Sequence, residues 1–180
     1  MTDRKRERPQ KAASREWITS ALLTLMEEKP YRQITISELS QRADLARRTF
    51  YRHFKSIDDV LYFYLDKIND EYIDFVIKSG PPAGSLPHTV LLHFTFWENY
   101  KWFLTLLKKN DLLFLLLQRF VLDVKKKMIK RPLSRKEEYI YFFITGGQWQ
   151  LLIQWVEDGA EFTPQEMAEI GVKIQEHLRQ

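Results

Sequence analysis

The sequence predicts an all-α fold, and three observations support this prediction. No stretch alternates apolar and polar residues strongly enough to predict a β-strand. A hydroxyl residue followed three positions later by an acid marks a helix start at Thr35, Ser56 and Ser134. Apolar residues recur at helical spacing between glycine- and proline-containing breaks, which fits about eight or nine helices.

The composition is that of a globular chain with one ordinary domain or two small ones. It has 180 residues, of which 44% are hydrophobic, and this is enough for a core. The chain has no cysteine, which excludes disulfides, a thiolate nucleophile and a cysteine-ligated zinc site. No N-terminal segment resembles a signal peptide, and the apolar runs are far shorter than the roughly 18 residues of a membrane span. We therefore predict a cytoplasmic protein.

The N-terminal segment is basic and precedes the first predicted helix. Residues 1–13 contain Pro9 and few apolar side chains, so we predict a flexible basic arm. Such an arm can be a solubilising tail, or it can follow DNA phosphates or enter a minor groove. The first helix is predicted from Ser14 and should stop before Pro30.

Residues 34–54 have the pattern of two short helices separated by a tight turn. Thr35 and Glu38 have capping-box spacing, which predicts a helix that begins near Ile36. Asp44 tolerates turn conformations and marks a turn of about four residues. The second helix begins after Ala46 and is anchored on one side by apolar side chains, Leu45, Phe50 and Phe54.

The second of these helices has basic residues without compensating acids. No acid occurs between Ala46 and Lys55, whereas the segment contains four cations, Arg47, Arg48, Arg52 and Lys55. A basic helix alone is more often a solvated surface. A capped helix, a turn and a basic helix anchored by aromatic residues, however, have the spacing of a helix-turn-helix motif. The second helix of this motif enters the major groove and contacts phosphates and base edges.

Charge is distributed unevenly along the chain. Residues 1–60 carry 13 basic and 9 acidic residues, whereas residues 61–180 carry 15 of each. This asymmetry predicts that the first third of the chain contacts a polyanion. A later basic cluster, between Lys125 and Lys136, is interpreted as favourable charge at a helix C-terminus, with a second DNA contact as the alternative.

The helix-turn-helix residues also resemble a known family. The resemblance extends from Ser14 to about Ile68 and includes the pattern T-x-x-E-L-S-x-x-A-x-L-x-x-x-T-F-Y-x-H-F-x-S. This pattern is similar to the DNA-binding signature of TetR/AcrR transcription regulators. The resemblance implies that Arg47 and Arg48 lie nearest the bases. The predicted DNA-binding residues are Thr35, Ser37, Arg47, Arg48, Thr49, Tyr51, Arg52, His53 and Lys55.

Three positions differ from the family pattern. Asp44 replaces the usual glycine and Ala46 the usual serine cap, and both changes weaken the local turn chemistry. Ile57 occupies a position where a phosphate-contacting lysine is common. Lys55 or Arg52 can replace that contact.

The second half of the chain predicts a helical dimerisation domain. A long helix that opens at Ser56 should join it to the first half, and residues 80–85 form a linker. The helix predicted over Ser134–Asp158 is apolar on most sides and contains Gly146-Gly147, so it needs a second covering surface. We predict a homodimer in which Ser134–Asp158 and Thr163–Gln180 pair with their symmetry mates. The segment from Tyr139 to Met167 is similar to a TetR subgroup of Gram-positive bacteria that includes regulators of dihydroxyacetone-kinase genes.

The second half also has more aromatic residues than plain packing requires. We predict that they form a pocket for a small apolar effector, with a simple hydrophobic core as the alternative. The proposed lining is His93, Phe94, Trp97, Tyr100, Phe103, Phe114, Phe120, Tyr141, Gln148 and Trp149.

No pattern in the sequence supports catalysis. His88 and His93 are five positions apart, about 140° around a helix, and so do not form a one-face metal pair. No glycine-rich phosphate loop is present, and the paired acids stand at predicted helix starts, where they complement the helix dipole. We therefore predict a non-enzyme with no catalytic residues, metal or cofactor.

Together these patterns predict a ligand-responsive homodimeric repressor that binds double-stranded operator DNA. Its predicted parts are an arm over residues 1–13, a three-helix DNA-binding domain over residues 14–55 and a dimerisation and effector domain over residues 56–180. The alternatives are an activator, a regulator controlled by a protein partner, and a helical scaffold that does not bind DNA. Salt-dependent binding to duplex DNA separates the regulators from the scaffold.

Overall fold

The computed structural model describes residues 4–80, 85–129 and 131–177. Within these residues the chain forms nine α-helices, one short 3-10 helix at Tyr31–Gln33 and no strand, which confirms the all-α prediction. The α-helices are α1 Arg4–Glu28, α2 Ile36–Arg42, α3 Arg47–His53, α4 Ile57–Lys78, α5 Leu86–Glu98, α6 Lys101–Lys109, α7 Phe114–Met128, α8 Arg135–Glu157 and α9 Pro164–His177. No described helix has the length and apolar character needed to cross a membrane.

The chain divides into two compact units within α4. Unit 1 is Met1–Lys67 and unit 2 is Ile68–Gln180. Helix α4 therefore belongs to both units, as expected of the predicted connecting helix. The predicted domain boundary after residue 55 remains a prediction.

Helix α1 begins at Arg4, ten residues before the predicted start, and ends at Glu28 before Pro30. The added residues are mainly arginine, lysine, glutamate, glutamine and alanine, which favour helices. Residues 1–3 lie outside the described residues, and a flexible arm over residues 1–13 remains a prediction. The predicted apolar stripe of α1 is buried in unit 1 through Ile18, Ala21, Leu22 and Leu25.

In unit 2, α5 and α9 pack against each other at very short range. A Cβ atom at Gly171 would lie 3.2 Å from both Pro87 Cα and Val90 Cγ2, so a larger residue would push the helices apart. The Leu86 N–H donates a hydrogen bond to Gln175 Oε1 at 3.1 Å, which links the start of α5 to the end of α9. The two helices therefore form a single wall.

Helix α6 holds the C-terminal end of α8. Helix α5 ends at its C-cap residue Asn99, and α6 begins at Lys101. Lys108 Nζ donates to the carbonyl oxygens of Val156 at 3.2 Å and Glu157 at 2.9 Å, and Lys101 Nζ donates to Ala160 O at 2.5 Å. These lysines bind carbonyl groups that a helix end leaves without intrahelical partners.

Helix α8 begins with the predicted capping box. The Glu137 N–H donates to Ser134 Oγ at 3.4 Å, and the Ser134 N–H donates to Glu137 Oε2 at 2.8 Å. Three members of the basic cluster near this start are paired with acids: Lys125 with Glu138, Lys127 with Asp70, and Arg131 with Glu137. These ion pairs favour a structural role for these three residues over a second DNA contact.

Candidate nucleic-acid interface

Helix α2 has the capping box that the sequence predicted. The Glu38 N–H donates to Thr35 Oγ1 at 3.2 Å, and the Thr35 N–H donates to Glu38 Oε2 at 2.9 Å. Lys29 Nζ lies 2.5 Å from Glu38 Oε1. Hydrogen bonds from Lys29 and then from Thr35 lower the pKa of Glu38 to about 2. Both ends of α2 are therefore tied to residues at the end of α1 or directly after it, because Arg42 also pairs with Glu28 at 2.6 Å.

The turn between α2 and α3 is a Schellman motif. The Leu45 N–H donates to Ser40 O at 2.9 Å, and the Asp44 N–H donates to Gln41 O at 3.1 Å. Asp44 has a φ of 51°, in the left-handed region that glycine usually occupies. Aspartate is one of the few other residues that adopts this conformation at low cost. The structure thus shows how this chain makes the turn with Asp44 in place of glycine.

Helix α3 begins at Arg47 without a side-chain cap, because Ala46 has no hydroxyl group to offer. Its position is set instead by buried rings on its inner side. Phe50 is fully buried and Phe54 is nearly so, with their ring centroids 6.1 Å apart. Packing therefore orients α3 where capping does not.

The predicted DNA-binding residues of α3 lie on two parts of its surface. At 100° per residue, the four exposed side chains fall within an arc of about 140°. These residues, Arg47, Arg48, Tyr51 and Arg52, are called the basic arc below. Thr49 and His53 are half-buried on the flank that adjoins Phe50. Thr35, Ser37 and Lys55 lie outside α3 and are exposed.

The charges of the basic arc are not neutralised by neighbouring acids. Over the described part of unit 1, neither Arg47, Arg48 nor Arg52 forms an ion pair. Other cations of this unit are paired, including Lys29, Arg42 and Lys67. Three unpaired arginines thus lie together on the exposed side of α3, where they can attract phosphates.

Two family profiles match separate parts of this chain. The family described as "Bacterial regulatory proteins, tetR family" matches residues 18–62, which include the whole α2–turn–α3 motif. The family described as "Transcriptional regulator C-terminal region" matches residues 95–177. Together they cover well over half of the chain. The chain belongs to the TetR family of transcriptional regulators.

A solved structure supports the same fold. The protein named "Dihydroxyacetone kinase operon activator DhaS" is similar to this TetR-family chain over 89% of this chain and 93% of its own, with a TM-score of 0.54. The two sequences are 19% identical, so the likeness concerns the fold alone. No curated protein sequence matches the chain.

Arg15 connects three parts of the TetR-family DNA-binding unit, a role that was not evident from the sequence. Its guanidinium carbon lies 4.0 Å from the ring centroid of Phe63 on α4 and 5.1 Å from that of Phe54, next to α3. The Phe54 and Phe63 rings are 5.7 Å apart. Arg15 on α1 therefore packs against the two rings that follow α3. Its position one helical turn before Ile18 was the available sequence signal.

We expect Arg15→Ala to destabilise unit 1 by about 1–2 kcal/mol, because it removes two partly desolvated cation–π contacts. The measurement is the free energy of unfolding in urea, with Arg32→Ala as a control at an exposed cation outside this stack. Equal stability of Arg15→Ala and Arg32→Ala would show that the stack contributes nothing.

The aromatic residues predicted to form an effector pocket mostly pack against one another. Three ring pairs illustrate this packing, with centroid separations of 4.9 Å for His93–Trp149, 5.0 Å for Phe120–Trp149 and 5.3 Å for Trp97–Phe120. Other predicted residues make separate contacts: Phe94 with Trp155, Tyr100 with Phe96, Phe103 with Trp102, and Tyr141 through a hydrogen bond donated to Val121 O. Phe114 is 52% exposed and lies apart from the cluster. This arrangement favours the hydrophobic-core alternative, and ligand contacts at these residues remain predictions.

His93 is a buried titratable group in that cluster. Its Nδ1 lies 3.2 Å from the hydroxyl oxygen of Tyr72, and aromatic rings surround it. Burial lowers the pKa of His93 to about 3. An unfolded histidine, by contrast, titrates near 6.5.

Because unfolded His93 takes up a proton below pH ~6.5 and folded His93 does not until about pH 3, acid favours unfolding. We expect the free energy of unfolding of unit 2 to fall between pH 7 and pH 5, and to fall less in His93→Gln. Tryptophan fluorescence in urea reports this transition, since four of the five tryptophans lie in unit 2. The same pH slope in both proteins would contradict this expectation.

Unit 2 also contains a surface groove that was not evident from the sequence. Its volume is about 720 Å³, and it lies between the α5–α9 wall and α8. Of the ten predicted ligand residues, only Gln148 lines it. The sequence signals for this groove were Gly146-Gly147 on α8 and the apolar pair Leu86 and Val90 on α5. Over the described residues, no three acidic or histidine side chains group closely enough to hold a metal ion.

Proposed function

We propose that this TetR-family regulator is a homodimeric repressor that binds operator DNA and responds to a small effector. The observation that carries the proposal is the basic arc, whose arginines are exposed and form no ion pair within the described residues. Helix α3 follows the capped helix α2 and presents unpaired cations. A helix of this kind is suited to enter the major groove. The proposed partner is chromosomal DNA, which places the protein in the cytoplasm, and the proposed role requires no catalysis.

Within this proposal the DNA-contacting residues have two roles. Arg47 and Arg48, at the exposed start of α3, contact base edges, because arginine pairs with guanine through two hydrogen bonds. Phosphate contacts position the protein without reading the sequence. We assign that role to Thr35, Thr49, Tyr51, Arg52, His53 and Lys55, and Ser37 is suited to either role.

The proposed dimer is supported by the exposed apolar surface of α8. Tyr139, Ile140 and Phe143 are 67%, 58% and 70% exposed, respectively, and a monomer would leave them in water. A contiguous apolar surface of this kind usually marks an interface. Apart from the adjacent residues and the backbone of α8 itself, no described atom lies within 4 Å of a Cβ built on Gly147, so the space there is open to a partner helix. We therefore pair α8 and α9 with their symmetry mates.

The proposed response to an effector requires two conformations that bind DNA differently. An effector shifts their populations only if its affinity differs between them. Helix α4 belongs to both units and is the element that we propose transmits the change. Activation, or control by a protein partner, remains the alternative mode of regulation.

Selection of bound sequences from a random pool of DNA duplexes tests the proposal. We expect one enriched sequence with two related half-sites, bound with an affinity that falls steeply with salt. A transcriptional reporter linked to that sequence should be repressed by the protein, whereas an activator would raise expression. No DNA binding at low salt would favour the helical scaffold instead.

A further inference from the structure

Helix α3 is anchored at its C-terminal end. Its first turn follows Ala46, which provides no side-chain cap. At the other end the Phe54 N–H donates to Phe50 O at 3.0 Å, and the Phe54 side chain is only 4% exposed. Three residues then separate α3 from α4. The contacts of the Phe54 ring therefore help to determine how α3 is oriented.

Arg15 on α1 packs against that ring through its guanidinium group. This group lies over both Phe54 and Phe63, and Phe63 belongs to α4. Arg15 Nε is buried without a hydrogen-bond partner, and Arg15 forms no ion pair within the described residues. The guanidinium is thus held by the two rings. Its flat shape allows it to stack on a ring face, which the ammonium group of a lysine cannot do in the same way.

Further rings connect this stack to the exposed surface of α3. The centroid of the Phe54 ring lies 6.1 Å from that of Phe50, which is fully buried. Phe50 in turn packs edge-to-face with Tyr51, with the centroids 5.5 Å apart. Tyr51 is 53% exposed and belongs to the basic arc. The position of the basic arc therefore depends on the rings that Arg15 contacts.

A second contact joins α1 to α4 without involving α3. Lys67 Nζ lies 3.1 Å from Glu16 Oε2, and the two side chains are 44% and 47% exposed, respectively. An exposed ion pair of this kind contributes little to stability. Because Glu16 is adjacent to Arg15 in sequence and also reaches α4, its substitution is a matched control for the stack.

We infer that Arg15 is a positioning residue for DNA recognition, which holds α3 in the orientation that lets Arg47 and Arg48 reach the bases. The inference rests on the proposed DNA binding, and Arg15 acts on the bases only through Phe54. Without the stack α3 takes several orientations, and only the correctly oriented fraction binds the operator. Non-specific binding depends on attraction between the basic arc and phosphates, so it tolerates these other orientations.

Arg15→Lys tests this role, because it keeps the positive charge and removes the planar guanidinium. We expect its operator affinity to fall about five- to tenfold, while its affinity for random DNA and its salt-dependence slope stay unchanged. Glu16→Gln should leave all three quantities unchanged. Binding is measured with the full chain at temperatures where thermal melting shows each variant to be folded.

A direct phosphate contact by Arg15 would give a different result. Arg15→Lys would then retain operator affinity, and Arg15→Ala would lower the salt-dependence slope by about one. Either result would overturn the inference, as would an equal loss of affinity for operator and random DNA in Arg15→Lys.

Amide chemical shifts of the DNA-free protein provide a readout that does not depend on stability. The shifts of Arg47 and Arg48, more than one helical turn from Phe54, should change in Arg15→Lys and stay in place in Glu16→Gln. Unchanged shifts in Arg15→Lys would contradict the positioning role. A wild-type chain that selects no operator would refute the proposed function and this inference with it. Equal operator affinities of the wild type and Arg15→Lys would refute the positioning role alone.

Discussion

Arg48→Ala is expected to weaken binding to the selected operator by roughly 1–3 kcal/mol and to relax the base preference at one position. The arginine is exposed on the basic arc, without an ion pair in the described residues, so its guanidinium is available to a guanine edge. The measurement is a titration of the operator, its single-base variants and random DNA at several salt concentrations.

Lys55→Ala is the matched comparison for a phosphate contact. It should weaken all DNA sequences to a similar extent and reduce the salt-dependence slope by about one. Arg42→Ala is the control, because Arg42 is exposed but already paired with Glu28. If Arg48→Ala and Lys55→Ala weaken operator and random DNA equally, the division between base and phosphate contacts is wrong.

Phe143→Asp should convert the dimer into monomers, with a dissociation constant raised on the order of 100-fold. The phenylalanine is 70% exposed, so the substitution places a charge in the proposed interface without opening a cavity in the core. Sedimentation velocity at micromolar concentrations measures the change. Thermal melting separates loss of dimers from loss of folding.

Ile77→Asp is the control for the dimer prediction, because Ile77 is 60% exposed on α4 and lies outside α8 and α9. It should leave the oligomeric state unchanged. Gly147→Leu provides a second test, since its side chain has room within the chain but would occupy the approach of a partner helix. A wild-type monomer at micromolar concentrations would refute the proposed dimer.

Features that depend on neighbouring residues were predicted well from the sequence. The predicted capping boxes at Thr35–Glu38 and Ser134–Glu137 are present. These features use hydrogen bonds between residues a few positions apart, so the sequence contains all of their partners. The start of α1 at Arg4 was missed because the segment before Ser14 has no apolar stripe, although its residues favour helices.

Features that depend on distant residues were predicted less well. The sequence showed an excess of aromatic residues in unit 2, but it did not show that His93 and Trp149 pack ring to ring. Nor did it show that Phe114 lies on the surface. Aromatic residues at helical spacing are compatible with a core or a pocket, and only the packing of several helices distinguishes the two.

The sequence by itself determined the all-α fold, the helix-turn-helix motif and the family to which the protein belongs, because helical periodicity, capping and motif spacing are local properties. The tertiary structure decided which charges are free and where space remains. Arg42 on α2 forms an ion pair with Glu28 on α1, whereas Arg48 on α3 forms none in the described residues. Gly171 allows close packing of α5 against α9, whereas the space beside Gly147 stays open. Both outcomes depend on atoms brought together from distant parts of the chain, which no local pattern contains.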